Sequence, residues 1–157
     1  MFDLIVIGGG AAGFFGAIQA ASIIPGMKVL ILEKSSKLLA KVKVSGGGRC
    51  NVTHHEFQPK ALAHHYPRGE KMLRSLFQKF QAKDVVDWFA ARGIVLKAEA
   101  DGRLFPITDS SQTIIDCFLQ EASKLKIEIR QQALVVKLEQ LKEGLCVSTQ
   151  SGEKFVG

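Results

Sequence analysis

The residues best placed to do chemistry are the glycines of Gly8-Gly9-Gly10-Ala11-Ala12-Gly13 and the carboxylate of Glu33, 20 positions after Gly13. A glycine turn that runs into a helix points free backbone N–H groups and a partial positive charge at an anion such as a pyrophosphate. Gly8 suits the tight turn, Gly10 lets a phosphate come close to the backbone, and Gly13 lets the helix pack against the preceding strand. Ala11 and Ala12 open that helix. An acid at this distance, ending the next strand, can grip a ribose 2′-hydroxyl, and Lys34 stands beside it. The spacing therefore points to a dinucleotide site.

The flanking elements must hold these groups in register. Leu4-Ile5-Val6-Ile7 has four branched apolar residues in a row, the pattern of a strand buried on both faces of a parallel sheet. A helix from Ala11 to about Ile24 follows, stopped by Pro25-Gly26, and Lys28–Leu32 is the second strand. A signal peptide or membrane span is the competing reading of Leu4–Ile24. Asp3 precedes the apolar run, no basic residue does, and five glycines would weaken a lone helix. The expectation is a cytoplasmic protein with no membrane partner.

With 157 residues the chain allows one ordinary domain, and 46% hydrophobic residues suit a globular one. The formal charge of +6 is moderate and its cations are scattered, so no nucleic-acid partner is expected. Cys50, Cys117 and Cys146 are odd in number, far apart and without a Cys-x-x-Cys pair, which argues against a disulfide framework and a zinc site and for a reducing compartment. His54-His55 and His64-His65 read as loop or surface histidines, because adjacent residues do not share a helix face; no metal is expected.

A second glycine cluster, Ser45-Gly46-Gly47-Gly48-Arg49-Cys50-Asn51, frees the backbone to wrap a ligand. Arg49 suits a phosphate or substrate anion, with a loop-holding salt bridge as the alternative. Cys50 reads as a buried structural thiol rather than a redox partner. Helices are expected over Gly69–Phe80 and Lys83–Arg92, with Gly93 as a C-cap and Ile94-Val95-Leu96 starting a strand. Asp101-Gly102 signals a hairpin returning through Arg103–Pro106. Asp109-Ser110-Ser111 can cap a helix to about Leu125 that turns Ile114, Ile115, Phe118, Leu119 and Ala122 to the core. Ile127-Glu128-Ile129 is then a third parallel strand. Ala133–Leu138, Leu145–Thr149 and Lys154–Val156 alternate as an antiparallel three-stranded meander.

This order resembles the FAD-binding half of two-dinucleotide-binding flavoproteins. More narrowly, Lys41-Val42-Lys43-Val44 with Ser45–Asn51, Val52-Thr53 and Gly102-Arg103-Leu104-Phe105-Pro106 resembles the YhiN/BaiN family of bacterial flavoproteins. The resemblance implies bound FAD. Gly8, Gly10 and Gly13 would hold the pyrophosphate and Glu33 the adenosine ribose. Lys41 and Ser45, Gly46, Gly47, Gly48, Arg49, Cys50 and Asn51 would run near the pyrophosphate and flavin. Val135 falls where such proteins hold adenine by backbone groups.

The expected fold is thus a Rossmann-like α/β FAD-binding domain: a parallel sheet, helices on both faces and an antiparallel meander. Residues 1–53 form the βαβ core and second glycine loop, 54–126 a helical and hairpin insertion, and 127–157 the third strand and meander. The family's Ala-Thr-Gly strand and Gly-Asp motif are absent, so a truncated chain is expected. A second copy, a partner or remaining chain would then pair with the apolar edge of Leu4–Ile7. The expected function is the FAD-binding portion of a flavin-dependent oxidoreductase acting on a small-molecule substrate by hydride transfer, with no catalytic residue assigned. The alternatives are an NAD-linked Rossmann dehydrogenase and an inactive nucleotide-binding fragment.

Overall fold

The computed structural model describes residues 1–157, which fold into two compact units. One comprises Met1–Val42 with Ile115–Gly157, the other Lys43–Ile114.

The first unit is built on a parallel sheet of β1 (Leu4–Ile7), β2 (Val29–Leu32) and β6 (Glu128–Arg130), in the order β1-β2-β6. Leu4 lies opposite Val29 and Leu30 opposite Glu128. All four residues of β2 are buried, as a central apolar strand requires. β1 departs from the expected burial on both faces. It has a neighbour on one side only, and Ile7 is 53% exposed.

Helix α1 (Ala11–Ile23) connects β1 to β2, ending at Pro25-Gly26 where Gly26 takes φ +85°. Helix α6 (Ser111–Lys124) leads into β6. The rings of Phe14 and Phe118 lie 6.1 Å apart, so α1 and α6 share a face of the sheet. Val6 faces α1, whereas Leu30 and Leu32 pack with Ala133 and Val147 on the other side. That other side is covered by the meander of β7 (Val135–Gln140), β8 (Leu145–Thr149) and β9 (Lys154–Val156), antiparallel throughout. The parallel sheet and meander match the expectation; the difference is that helices cover one face rather than both. The chain steps in one direction from β1 to β2 to β6, and right-handed crossovers made in one direction deposit both helices on the same side.

The second unit contains a three-stranded antiparallel sheet, β3 (Thr53–His54), β5 (Arg103–Pro106) and β4 (Leu96–Ala98), in that order. Gly102 turns the β4–β5 hairpin at φ +84°. The strand expected from Ile94 starts two residues later because Ile94 still donates its N–H to Phe89 O, finishing the preceding helix. Three helices precede the hairpin: α3 (Pro59–His64), α4 (Glu70–Phe77) and α5 (Ala82–Ala90). The pattern did not announce β3 and α3, each a few residues long. Helix α5 opens with a capping box in which the Gln81 N–H donates to Asp84 at 2.7 Å. The apolar stripe of α4 forms as its spacing predicts, yet no residue of α4 is buried and Met72 is 73% exposed.

Candidate functional site: a glycine turn closed by a carboxylate

In the first unit, Gly8 leaves β1 at φ +111°, a conformation that favours glycine, and donates its N–H to Leu32 O at 2.8 Å. Gly10 is the N-cap of α1, and no side chain caps the helix there. The first N–H groups of α1, at Ala11, Ala12 and Gly13, have no partners within the helix, as at any helix start. A Cβ added at Gly8 or Gly10 would meet no atom within 4 Å, so the mouth of the turn is open. At Gly13 the opposite holds: a Cβ would collide with the Gly8 carbonyl oxygen and lie 3.2 Å from Val6 Cγ1. Gly13 thus packs close against the strand, whereas the space before Gly8 and Gly10 is open.

Glu33 turns its carboxylate to this turn. Oε2 accepts the Gly9 N–H at 2.8 Å and Oε1 accepts the Ser35 N–H at 2.8 Å. A carboxylate offers about four acceptor sites, more than the two backbone donors and the Ser35 hydroxyl occupy. Partial burial pushes the Glu33 carboxyl up, but the Ser35 and Gly9 N–H groups outweigh it and hold its pKa below the usual glutamate range. The turn is closed behind by Leu39, fully buried, whose N–H donates to Gly9 O at 2.8 Å. Ser35 and Leu39 escaped the sequence reading; only the serine, two residues beyond the acid, carried a local signal of a side-chain-stabilised turn.

The remaining predicted residues of this unit are spread out. Lys34 is exposed, and Lys41 is exposed on the short helix α2 (Ala40–Val44). Val135 begins β7 opposite Thr149 and packs against the Leu30 cluster.

In the second unit, Ser45–Gly48 forms a tight kinked turn rather than an open loop. Gly46 and Gly47 take φ +54° and +68°, and a Cβ at Gly46 would lie 2.6 Å from Phe105 Cε1. Cys50 is buried, its N–H donating to Ser45 O at 3.0 Å. Burial pushes its thiol pKa up, the Ser45 hydroxyl opposing, as befits an inert structural cysteine. Asn51 is exposed. The Arg49 guanidinium pairs with Glu99, lies 3.6 Å from Asp109 and sits 4.1 Å over the Phe105 ring. Both carboxylates and the ring engage it, so the geometry favours the loop-holding role over a free anion contact. Glu99 and Asp109 lie about 50 and 60 positions from Arg49, and no local pattern marks them. His54 and His65 stack with ring centroids 4.4 Å apart, and no group of three or more His, Cys, Asp or Glu gathers as a metal site.

The chain is 33% identical over 137 residues to a ribosomal RNA dihydrouridine synthase of Escherichia coli, covering 87% of this chain and 33% of that protein. It is 25% identical over 150 residues to a 3-dehydro-bile acid delta(4,6)-reductase of Clostridium scindens, covering 96% and 36%. It thus spans about a third of the length of these curated relatives. Among solved structures, the 3-ketosteroid-delta4-(5alpha)-dehydrogenase of Rhodococcus jostii shares the fold with a TM-score of 0.70 at 15% identity, covering 98% of this chain and 43% of that one. The HI0933-like protein Rossmann domain matches residues 2–157, and the chain belongs to that family.

Proposed function

We propose that this chain is the FAD-binding portion of a flavin-dependent reductase. The observation that carries this reading is the Glu33 carboxylate, held beside an uncapped, open glycine turn with acceptor capacity to spare. Gly8, Gly10 and the N–H groups of Ala11, Ala12 and Gly13 would receive the pyrophosphate, and Glu33 the adenosine ribose. Bound flavin would supply hydride transfer. The part of the chain is to fix the dinucleotide, keep Glu33 ionised and hold the turn rigid through Gly9 and Leu39.

The names of the two curated relatives narrow the substrate class. One makes dihydrouridine and the other reduces a 3-dehydro-bile acid at delta(4,6). Both describe hydrogen added across a carbon–carbon double bond conjugated to a carbonyl, and we assign that reaction class to the parent enzyme. Such a ring fits a small-molecule substrate. A uridine base within RNA is the second reading: against the expectation of scattered charge and no nucleic-acid partner, residues 59–83 gather six cations around one acid. A second copy or further chain seated along β1 would complete the parallel sheet, since β1 is paired on one side alone.

The test is spectroscopic. The purified full-length protein is expected to be yellow and to release flavin fluorescence on denaturation. A colourless protein whose melting temperature rises with NAD would instead place it among simple Rossmann dehydrogenases.

A further inference from the structure

Residues 59–83 carry Lys60, Arg68, Lys71, Arg74, Lys79 and Lys83 against one acid, Glu70, nearly the whole of the chain's formal +6. Glu70 is shared by Arg74 and His64, each at 3.0 Å, and Lys83 pairs with Asp87. Lys60, Arg68, Lys71 and Lys79 are exposed and have no carboxylate partner. Beside them lies the uncovered stripe of α4, with Met72 and Leu76 in solvent, and Tyr66 half-exposed with its ring 5.5 Å from Phe77. Unpaired cations next to exposed apolar and aromatic side chains are a surface built for a partner rather than for water.

Two features narrow the partner. Four cations without acids match a polyanion, and an aromatic ring among them offers a platform on which a base can stack, the combination that holds single strands. Helix α4 has eight residues, about two turns, and offers little apolar area for a lipid surface. We propose that the α3–α4 surface docks single-stranded RNA, with Lys60, Arg68, Lys71 and Lys79 on phosphates and Tyr66 under a base. This rests on the uridine reading above and goes beyond it by naming the surface that holds the strand.

The test uses the full-length protein and a fluorescein-labelled, uridine-rich single-stranded RNA of about 20 nucleotides, followed by anisotropy across a salt series. Each phosphate contact on a single strand contributes roughly 0.7 to the slope of log affinity against log salt. Replacing Lys60, Arg68, Lys71 and Lys79 together by Gln is expected to flatten that slope by about 3 and to weaken binding by at least about tenfold at low salt. Tyr66→Ala is expected to weaken binding about tenfold without changing the slope. Unchanged affinity and slope in the quadruple variant would overturn the proposal, as would polyglutamate competing as well as RNA of equal charge, which would point to an acidic protein instead. Flavin absorbance in the same samples reports folding and separates the two ideas. Flavin retained with no affinity for RNA sinks the docking surface alone; RNA bound by a protein without flavin sinks the cofactor reading alone.

Discussion

Glu33 and Gly9, 24 positions apart, are joined by a 2.8 Å hydrogen bond from the Gly9 N–H to the carboxylate. That bond ties the end of the second strand to the turn after the first, and it places a negative charge beside a helix start that has no capping side chain. An acid there has two duties: satisfying backbone donors and presenting acceptors to a ligand.

Glu33→Gln separates them by pH. The amide offers one acceptor oxygen, so either the Gly9 or the Ser35 N–H loses its partner, at a cost of about 1–3 kcal/mol. The folded pKa lies below the ordinary 4.5, so the carboxylate's stabilisation is fully present above 4.5 and is lost as pH falls through the folded value. Urea titrations should show the variant weaker at neutral pH, with the gap closing in acid. A gap independent of pH would mean that charge plays no part.

Gly10→Val tests the ligand without testing the fold. The added side chain enters open space at φ −93°, which any residue tolerates. Flavin content is expected to fall sharply while the melting temperature of the apoprotein stays within a few degrees. Unchanged flavin retention would move the pyrophosphate elsewhere.

Gly13 and Gly16 lie one turn apart on α1 and should respond with opposite signs. Gly13→Ala drives a methyl into the Gly8 carbonyl and is expected to destabilise by about 1–3 kcal/mol. Gly16→Ala meets nothing within 4 Å and removes a helix-interior glycine, so it should stabilise by about 0.5–1 kcal/mol. Thermal melts of the two variants decide.

Arg49→Lys is expected to lower the melting temperature nearly as much as Arg49→Gln. A lysine keeps the charge but gives up the planar stack on Phe105 and the two-toothed grip on Glu99. Combining Arg49→Gln with Glu99→Gln should cost less than the two changes separately. Strict additivity in that cycle would release Arg49 for an anion.

The parts legible in the sequence are those specified by neighbours along the chain. The glycine turn, α1, the hairpin at Gly102 and the meander each follow from local spacing and appear as read. Glu33 was legible because strand length and the 20-residue spacing fix where an acid must fall. The partners of Arg49 were not, since Glu99 and Asp109 are brought near it by the hairpin and by the turn before α6. The exposed stripe of α4 shows a further limit. Periodicity states that Met72, Leu73 and Leu76 share a side of the helix, but not whether anything covers it.

The bare margin of β1 gives a final consequence. Ile5 and Ile7 turn their backbone groups away from β2, because alternate residues of a parallel strand serve alternate neighbours. The same strand carries the glycine turn at its tip. A dinucleotide clasped at Gly8 and a strand zipped along Ile5–Ile7 would each brace the other, so loading and assembly reinforce one another by linkage. The loaded form is then the readier to pair along that margin, and saturating ligand is expected to promote association through β1.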